Sequence, residues 1–181
     1  MKKISLFLWF LGAFGISQAQ IQKNIDLSFF SPYFLQPGIS VGLQLAPPPI
    51  YEIKIQPFAK AQLAYYGFSG VQNNLLLQAN YGIKFKNEKA LKPKIFLGLA
   101  YQVSRQRLST DVNLGTGEFE HTYNTIGYLL PSLNAGFDFE RENKSTYFIN
   151  LFAGRKYGLT ALNAAYFGLE IGLSLSNSKS K

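Results

Sequence analysis

Cysteine is absent from the sequence, histidine occurs once, and charged residues make up only 15% of the chain. The absence of cysteine excludes disulfide frameworks, thiol catalysis, cysteine-ligated metals and a lipid attached to a processed N-terminal cysteine. One histidine provides too few ligands for a zinc site of the usual kind. We therefore expect no metal and no cofactor in this chain, whose 181 residues suffice for one domain.

Long hydrophobic runs are also absent, apart from one at the N-terminus, so we expect no bundle of membrane helices. The first residues, MKKISLFLWFLGAFGISQAQ, place Lys2 and Lys3 before an apolar stretch at 4–16 and a small-x-small motif at 17–19. That stretch is shorter than the about 20 residues that a membrane-spanning helix needs. The pattern predicts a secretory signal over residues 1–19, cleaved before Gln20, and leaves a buried N-terminal helix or an uncleaved anchor as the alternative.

Acidic residues are scarce, since 18 Lys and Arg face 10 Asp and Glu, for a formal net charge of +8. Removal of Lys2 and Lys3 with the signal lowers this charge to +6. The basic residues are dispersed rather than clustered, and an exported protein has little occasion to meet nucleic acid. We therefore expect no nucleic-acid partner.

Apolar and polar residues alternate after the signal. In NNLLLQANYGIKFKNEK, the odd-numbered residues from Leu75 to Phe85 are apolar, and most even-numbered ones are polar or glycine. Because successive side chains of a strand face opposite sides, this stretch predicts a strand with two different faces. The same alternation recurs in eight segments, at 25–29, 39–45, 51–65, 75–85, 95–103, 129–139, 148–154 and 167–175.

The connections between these segments include a long one, STDVNLGTGEFEHTYNT, at one end and short ones such as PPP and RENKS at the other. An even number of strands with longer loops at one end is typical of an outer-membrane barrel. We therefore predict an all-β fold, an eight-stranded antiparallel up-and-down transmembrane β-barrel over residues 20–175, and a disordered tail at 176–181. Pro57 and Pro131 lack a backbone donor, so they predict a bulge or a later strand start.

Alternation alone does not distinguish a lipid-facing surface from a soluble core, but the residues of the polar face do. Glycine recurs on that face, at positions 42, 82, 98, 136, 154, 168 and 172. Glycine weakens a strand, so it is expected there only where neighbouring groups leave no room for a side chain. The narrow interior of an eight-stranded barrel, which side chains fill completely, is such a place. The glycines thus favour an enclosed polar face, whereas a soluble exported carrier of the lipocalin type would turn the apolar face inward.

Charges on the polar face are balanced, as enclosed charges must be because desolvation is costly. The alternation predicts an interior charge network whose members are Asp26, Glu52, Lys54, Lys60, Lys84, Lys94, Asp138 and Glu170. Aromatic residues lie near the predicted strand ends, where Tyr favours a membrane–water interface: Tyr51, Tyr65, Tyr66, Tyr101, Phe137, Phe139, Tyr147, Tyr157, Tyr166 and Phe167. Both features favour a barrel with lipid outside.

The stretches YEIKIQPFAKAQLAYYG, NLLLQANYGIKF and KIFLGLAYQ, together with the signal and the lack of cysteine, make the chain resemble the small outer-membrane β-barrel proteins of Bacteroidota-type Gram-negative bacteria. The resemblance covers essentially the whole mature chain. It implies insertion by the barrel assembly machinery and, often, no assigned activity. For a barrel in the outer membrane we also expect outer-membrane lipid and lipopolysaccharide as partners. The polar end of the chain departs from the aromatic last residue that such barrels often carry.

The long loop contains the residues that we consider for recognition, namely Asp111, Glu118, Glu120 and His121. Some eight-stranded outer-membrane barrels act on lipid A with a histidine, a serine and an acid, but a shared loop does not supply that geometry. We therefore expect a non-enzymatic barrel with a plugged polar interior and a structural or binding role through its outer loops. The alternatives are a narrow transport path, a lipid A-modifying enzyme and the lipocalin-like carrier.

Overall fold

The computed structural model describes residues 21–48, 54–68, 70–86, 91–112, 115–140, 145–158 and 164–176. These residues form eight strands: β1 Gln22–Pro32, β2 Gly38–Ala46, β3 Ile55–Phe68, β4 Gln72–Phe85, β5 Leu91–Val112, β6 Phe119–Glu140, β7 Ser145–Gly158 and β8 Ala164–Ser176. Over the same ranges there is no helix of the length and apolar character needed to cross a membrane. The predicted signal, Glu52 and residues 177–181 of the predicted tail lie outside the described residues.

Each strand pairs antiparallel with the next, and β1 pairs with β8, so the sheet closes into a barrel. The closing ladder runs without a register shift from Asn24 opposite Ser176 to Pro32 opposite Gly168. A closed ring satisfies the backbone groups of all strands and leaves no sheet edge along its wall. The predicted eight-stranded antiparallel up-and-down barrel is therefore confirmed.

The two faces of the strands have the predicted orientation. Leu77, Leu97 and Ile171 are 61%, 66% and 44% exposed on the outside, whereas Glu170 is 4% exposed inside the barrel. A soluble carrier needs the reverse arrangement, because its apolar side chains surround a ligand in the interior. The lipocalin-like alternative is therefore wrong.

The two prolines within strands are accommodated differently. Pro57 is the third residue of β3, which begins at Ile55 rather than at the predicted residue 51. Pro131 lies within β6, where the β6–β7 ladder is interrupted between the pairs of Leu129 and Ser132 and resumes in the same register. Each proline thus removes a donor without shifting a strand.

The largest difference from the sequence prediction lies between β5 and β6. The stretch predicted to be a long loop is mostly an extension of these two strands, paired out to Val112 opposite Phe119. A register shift between Arg107 and Ser109 adds one residue, Leu108, to β5. The last β5 residue paired with β4 is Gln106, so the two strands continue about 20 Å beyond the barrel wall, at roughly 3.3 Å per residue. We call residues 107–123 the β5–β6 hairpin.

The barrel has two distinct ends. The β5–β6 hairpin rises from one end, which we call the hairpin end, and the first residue of β1 and the last of β8 lie at the other, the terminal end. The β1–β2 turn lies at the hairpin end, where Tyr33 and Phe34 have positive φ values of 54° and 58°. Tyr33 is held there by its backbone N–H, which donates to the Phe167 carbonyl at 2.7 Å.

Candidate functional site

The centre of the barrel contains a buried ion triad formed by Lys60 on β3, Asp26 on β1 and Glu170 on β8. The Lys60 ammonium is 3.1 Å from Asp26 Oδ2 and 3.0 Å from Glu170 Oε1. Lys60 reaches Asp26 across the intervening strand β2, where Gly42 leaves room: a Cβ at Gly42 would lie 2.9 Å from Lys60 Cε. The triad therefore depends on a glycine of the polar face.

Hydrogen bonds complete the coordination of the Glu170 carboxylate. Oε1 accepts from Ser28 Oγ at 2.8 Å and from Gln62 Nε2 at 2.9 Å, and Oε2 accepts from Asn150 Nδ2 at 2.8 Å. With Lys60, donors from β1, β3 and β7 thus converge on one β8 side chain. A buried charge with this many donors is a fixed structural group.

A second triad lies nearer the terminal end and consists of Asp138 on β6, Lys84 on β4 and Lys94 on β5. Asp138 Oδ1 is 2.6 Å from the Lys94 ammonium, and Oδ2 pairs with Lys84. The two lysines are direct cross-strand neighbours, an unfavourable arrangement that the shared carboxylate offsets. Lys92 and Glu140 form a partly exposed ion pair beyond this triad.

The two triads are complementary. The Lys60 triad has two carboxylates and one ammonium, whereas the Lys94 triad has two ammonium groups and one carboxylate. The Phe148 ring lies between them, with its centroid 4.8 Å from Lys60 Nζ and 4.7 Å from Lys94 Nζ. The charges of these six residues therefore cancel across one aromatic ring.

Six of the eight residues predicted for the interior charge network thus form the two triads. Lys54 is not among them, because it is exposed in the bend before β3, and Glu52 lies outside the described residues. The sequence pattern extended β3 to residue 51, but the strand begins at Ile55. The alternation therefore does not apply to Lys54.

Amide and hydroxyl side chains fill the interior beside the triads. Gln102 and Gln72 each donate to Asn74 Oδ1 at 2.7 Å, and Gln78 donates to Asn80 Oδ1 at 2.9 Å. Gly98 gives this layer its space, since a Cβ there would collide with the side chains of Gln78 and Asn80.

An apolar cluster, rather than the expected polar network, closes the barrel toward the hairpin end. Phe30 stacks on Phe152 with 5.0 Å between centroids, and Phe152 stacks on Tyr166 at 5.1 Å. Its buried members, which we call the aromatic plug, are Phe30, Ala64, Tyr66, Leu76, Ala100, Tyr128, Leu130, Phe152 and Tyr166. Tyr66 and Tyr166 are 2% and 3% exposed, so they belong to this plug and not to the interfacial belt predicted for them.

The candidate recognition residues lie on the β5–β6 hairpin. Asp111 on β5 is the cross-strand partner of Glu120 on β6, and Thr110 is the partner of His121. Because neighbours along a strand face opposite sides, the two acids lie on one face and the Thr110–His121 pair on the other. Glu118 lies next to the turn, where its backbone N–H donates to Thr116 Oγ1 at 3.3 Å.

The surroundings of His121 do not form a catalytic triad. Its Nδ1 lies 3.0 Å from Thr110 Oγ1, and its ring is an edge-on neighbour of Tyr123 at 6.3 Å. The Ser109 hydroxyl donates instead to Asp111 at 3.5 Å, on the other face of the hairpin. Within the described residues, no group of three or more His, Cys, Asp or Glu side chains is arranged to hold a metal ion.

A cleft opens on the outside of the barrel where the β5–β6 hairpin leaves the wall. It has a volume of about 630 Å³ and lies between β6 and the end of β7. Its lining residues include Tyr101, Thr125, Gly127, Leu129, Tyr157 and Gly158. We call it the lateral cleft; the alternation of the sequence gave no indication of it.

Comparison with protein-family models and with curated proteins finds no match. Solved structures do match over most of their length. The outer membrane enzyme PagL shares 14% identity, with 84% of this chain and 98% of that chain covered and a TM-score of 0.52. Neisserial surface protein A shares 12% (86% and 94% covered, TM-score 0.53), and Ail of Yersinia pestis 10% (86% and 95% covered, TM-score 0.52).

One of these three structures is an enzyme. At such low sequence identity, the similarity shows a shared fold and does not show a shared activity. The three structures agree with this chain in architecture, a closed barrel of eight antiparallel strands. The chain therefore has the fold of the small eight-stranded outer-membrane β-barrels.

Proposed function

We propose that the chain is an integral outer-membrane protein with a closed, non-conducting and non-catalytic barrel, and that its β5–β6 hairpin is the element that recognises a partner. The observation that carries the proposal is the combination of an apolar outer wall with a filled interior. A continuous outward band of Leu, Ile and Phe stabilises the folded barrel when it is surrounded by lipid, and it would destabilise the barrel in water.

The interior supports a structural role in preference to transport. The aromatic plug and the two ion triads follow one another along the barrel, joined by the amide layer. Their side chains are buried and packed against one another, whereas a water path needs groups that leave space between them. Phe152, for example, is 5% exposed and contacts rings on both sides.

The hairpin supports a role in recognition because it presents two chemically different faces outside the barrel. One face has the cross-strand pair Val112–Phe119 near the tip, with Phe119 68% exposed. The other has the acidic pair Asp111–Glu120. An exposed apolar pair beside an acidic face is a suitable contact for a protein or a cationic group.

The lipid A-modifying alternative has weaker support. PagL is an enzyme of the same fold, but at 14% identity the likeness carries no activity to this chain. His121 contacts Thr110, and Ser109 lies on the opposite face. We therefore expect identical lipid A, measured by mass spectrometry, from cells that express the wild type and cells that express His121→Ala. A modification present only with the wild type would support the enzyme.

The proposal is tested by expression in a Gram-negative host and by reconstitution. We expect the protein to remain with the outer membrane after carbonate washing and to run as a compact band on unheated gels that shifts on boiling. In planar bilayers we expect no steady conductance. Release by carbonate would contradict the membrane location, and steady single-channel steps would contradict the closed interior.

A further inference from the structure

The lateral cleft exists because β6 is longer than its neighbour β7. β7 ends at Gly158, which pairs with Tyr128, whereas β6 begins at Phe119. Residues 119–127 of β6 therefore pair with β5 and have no β7 partner among the described residues. The cleft lies along this stretch of β6, on the outside of the barrel.

The floor of the cleft is shaped by a glycine. Gly127 lies beside the Tyr101 ring, and a Cβ at Gly127 would collide with the Tyr101 hydroxyl. Any larger residue at 127 would force the Tyr101 ring to move. The depth of the cleft thus depends on Gly127, which has a negative φ and needs no special backbone conformation.

The lower part of the cleft continues the lipid-facing band. Tyr101, Leu129 and Tyr157 are cross-strand neighbours at one level of the wall and are 55%, 47% and 41% exposed. Tyr at the limit of an apolar band has its ring in hydrocarbon and its hydroxyl in the polar interface. An acyl chain beside Leu129 would therefore bring its headgroup level with the upper part of the cleft.

The upper part of the cleft is polar and has a cation beside it. Thr125 lines the cleft, and its cross-strand partner on β5 is Arg105. The Arg105 guanidinium lies over the Tyr123 ring, with 4.1 Å from Cζ to the centroid. The N–H groups of a guanidinium form a planar fork that binds a phosphate through two hydrogen bonds.

We infer that the lateral cleft binds one anionic phospholipid, with an acyl chain against Leu129 between Tyr101 and Tyr157 and the phosphate on Arg105. Charge complementarity selects an anionic lipid, since the nearby acids Asp111 and Glu120 lie on the other face of the hairpin. The inference rests on the proposed membrane location and goes beyond it, because it names a site and a ligand class.

The test uses the mature barrel refolded in detergent and native mass spectrometry with phosphatidylglycerol or phosphatidylcholine as the probe. We expect the wild type to retain one phosphatidylglycerol in preference to phosphatidylcholine. Arg105→Gln should weaken this retention by about tenfold, because lost charge-assisted hydrogen bonds are worth at least that factor. The matched control is Lys23→Gln, which removes another exposed outward charge at the terminal end and should leave retention unchanged.

Two further arms separate the sources of binding. Gly127→Leu fills the cleft without altering Arg105 and should abolish retention. Excess inorganic phosphate should not displace the lipid, because the acyl chain contributes to binding. Equal retention of both lipids, or equal losses in Arg105→Gln and Lys23→Gln, would overturn the inference. A protein that fails to give the heat-dependent gel shift would instead contradict the proposed membrane barrel.

Discussion

Lys60 is the residue whose environment best explains the interior. Lys60 is 4% exposed, and its ammonium group contacts Asp26 and Glu170 from two other strands. Moving one ion from water into a protein interior costs several kcal/mol, and only close partners offset that cost. The triad is therefore stable as a set and vulnerable when one member is removed.

Lys60→Met and Glu170→Gln should differ in a defined order. Lys60→Met leaves two buried carboxylates without a cation, so we expect the free energy of unfolding to fall by about 3–5 kcal/mol. Glu170→Gln leaves Lys60 and Asp26 as an ion pair without net charge, so the free energy of unfolding should fall by less. Both losses are measured by urea titration in vesicles, with the boiling-sensitive gel band as the signal for folded protein. A gel signal is used because the only tryptophan, Trp9, lies in the predicted signal, so the mature chain has no tryptophan fluorescence. A larger loss of unfolding free energy for Glu170→Gln than for Lys60→Met would contradict the proposed role of the triad.

Sequence alternation predicts which charges are inside but not which of them meet. It placed Lys60 and Glu170 correctly because each lies in the middle of a regular strand, where period two holds. It failed for Lys54, just outside a strand. It does not predict the Lys60–Asp26 contact either, because that contact crosses β2 at Gly42 and depends on the barrel's curvature.

The β5–β6 hairpin shows why an element can be missed. Its pairs alternate between an apolar face and an acidic face, as in any strand pair. The extra residue Leu108 shifts the phase of β5, so the apolar positions change from odd to even numbers there. A search for one continuous period therefore ends at the bulge, and the polar residues beyond it resemble a loop.

Removal of the hairpin should leave the barrel intact. Replacing residues 108–122 with Asn-Gly would join the partners Arg107 and Tyr123 through a two-residue turn. The described residues of this stretch lie beyond the last β4–β5 pair, so we expect the unfolding free energy to change by no more than about 0.5 kcal/mol in the urea titration. A loss of several kcal/mol would show that the hairpin stabilises the barrel.

The matched variant for this experiment is Tyr33→Ala in the β1–β2 turn at the same end. The Tyr33 hydroxyl donates to the Ala165 carbonyl at 3.0 Å, and its ring meets Phe167 edge-on at 5.3 Å. We expect a loss of about 1–3 kcal/mol from the hydrogen bond and the ring contacts together. The small substitution should therefore cost more than the large deletion, because contacts with the wall decide stability.

At the scale of the whole molecule, the strand number, order and orientation follow from the sequence. Each strand contributes its own alternation, and eight strands in antiparallel order leave closure as the way to pair both edges. The aromatic plug was not predicted as a unit, although Tyr66 and Tyr166 lie on the inward phase of their strands. A position near a strand end favours an interfacial tyrosine, and for these two residues the phase and not the position decides.

The membrane assignment predicts that a charge on the outer wall costs more in the middle of the band than at its limit. Leu97 and Leu91 are both outward-facing residues of β5, but Leu97 is central and Leu91 is at the terminal end. In lipid vesicles, Leu97→Lys should lower the unfolding free energy by about 2–4 kcal/mol and Leu91→Lys by about 0–1 kcal/mol. Since the two substitutions are chemically identical, their difference reports depth in hydrocarbon alone. Water around the wall would make both substitutions nearly neutral, so equal and small losses in vesicles would contradict a lipid-facing band.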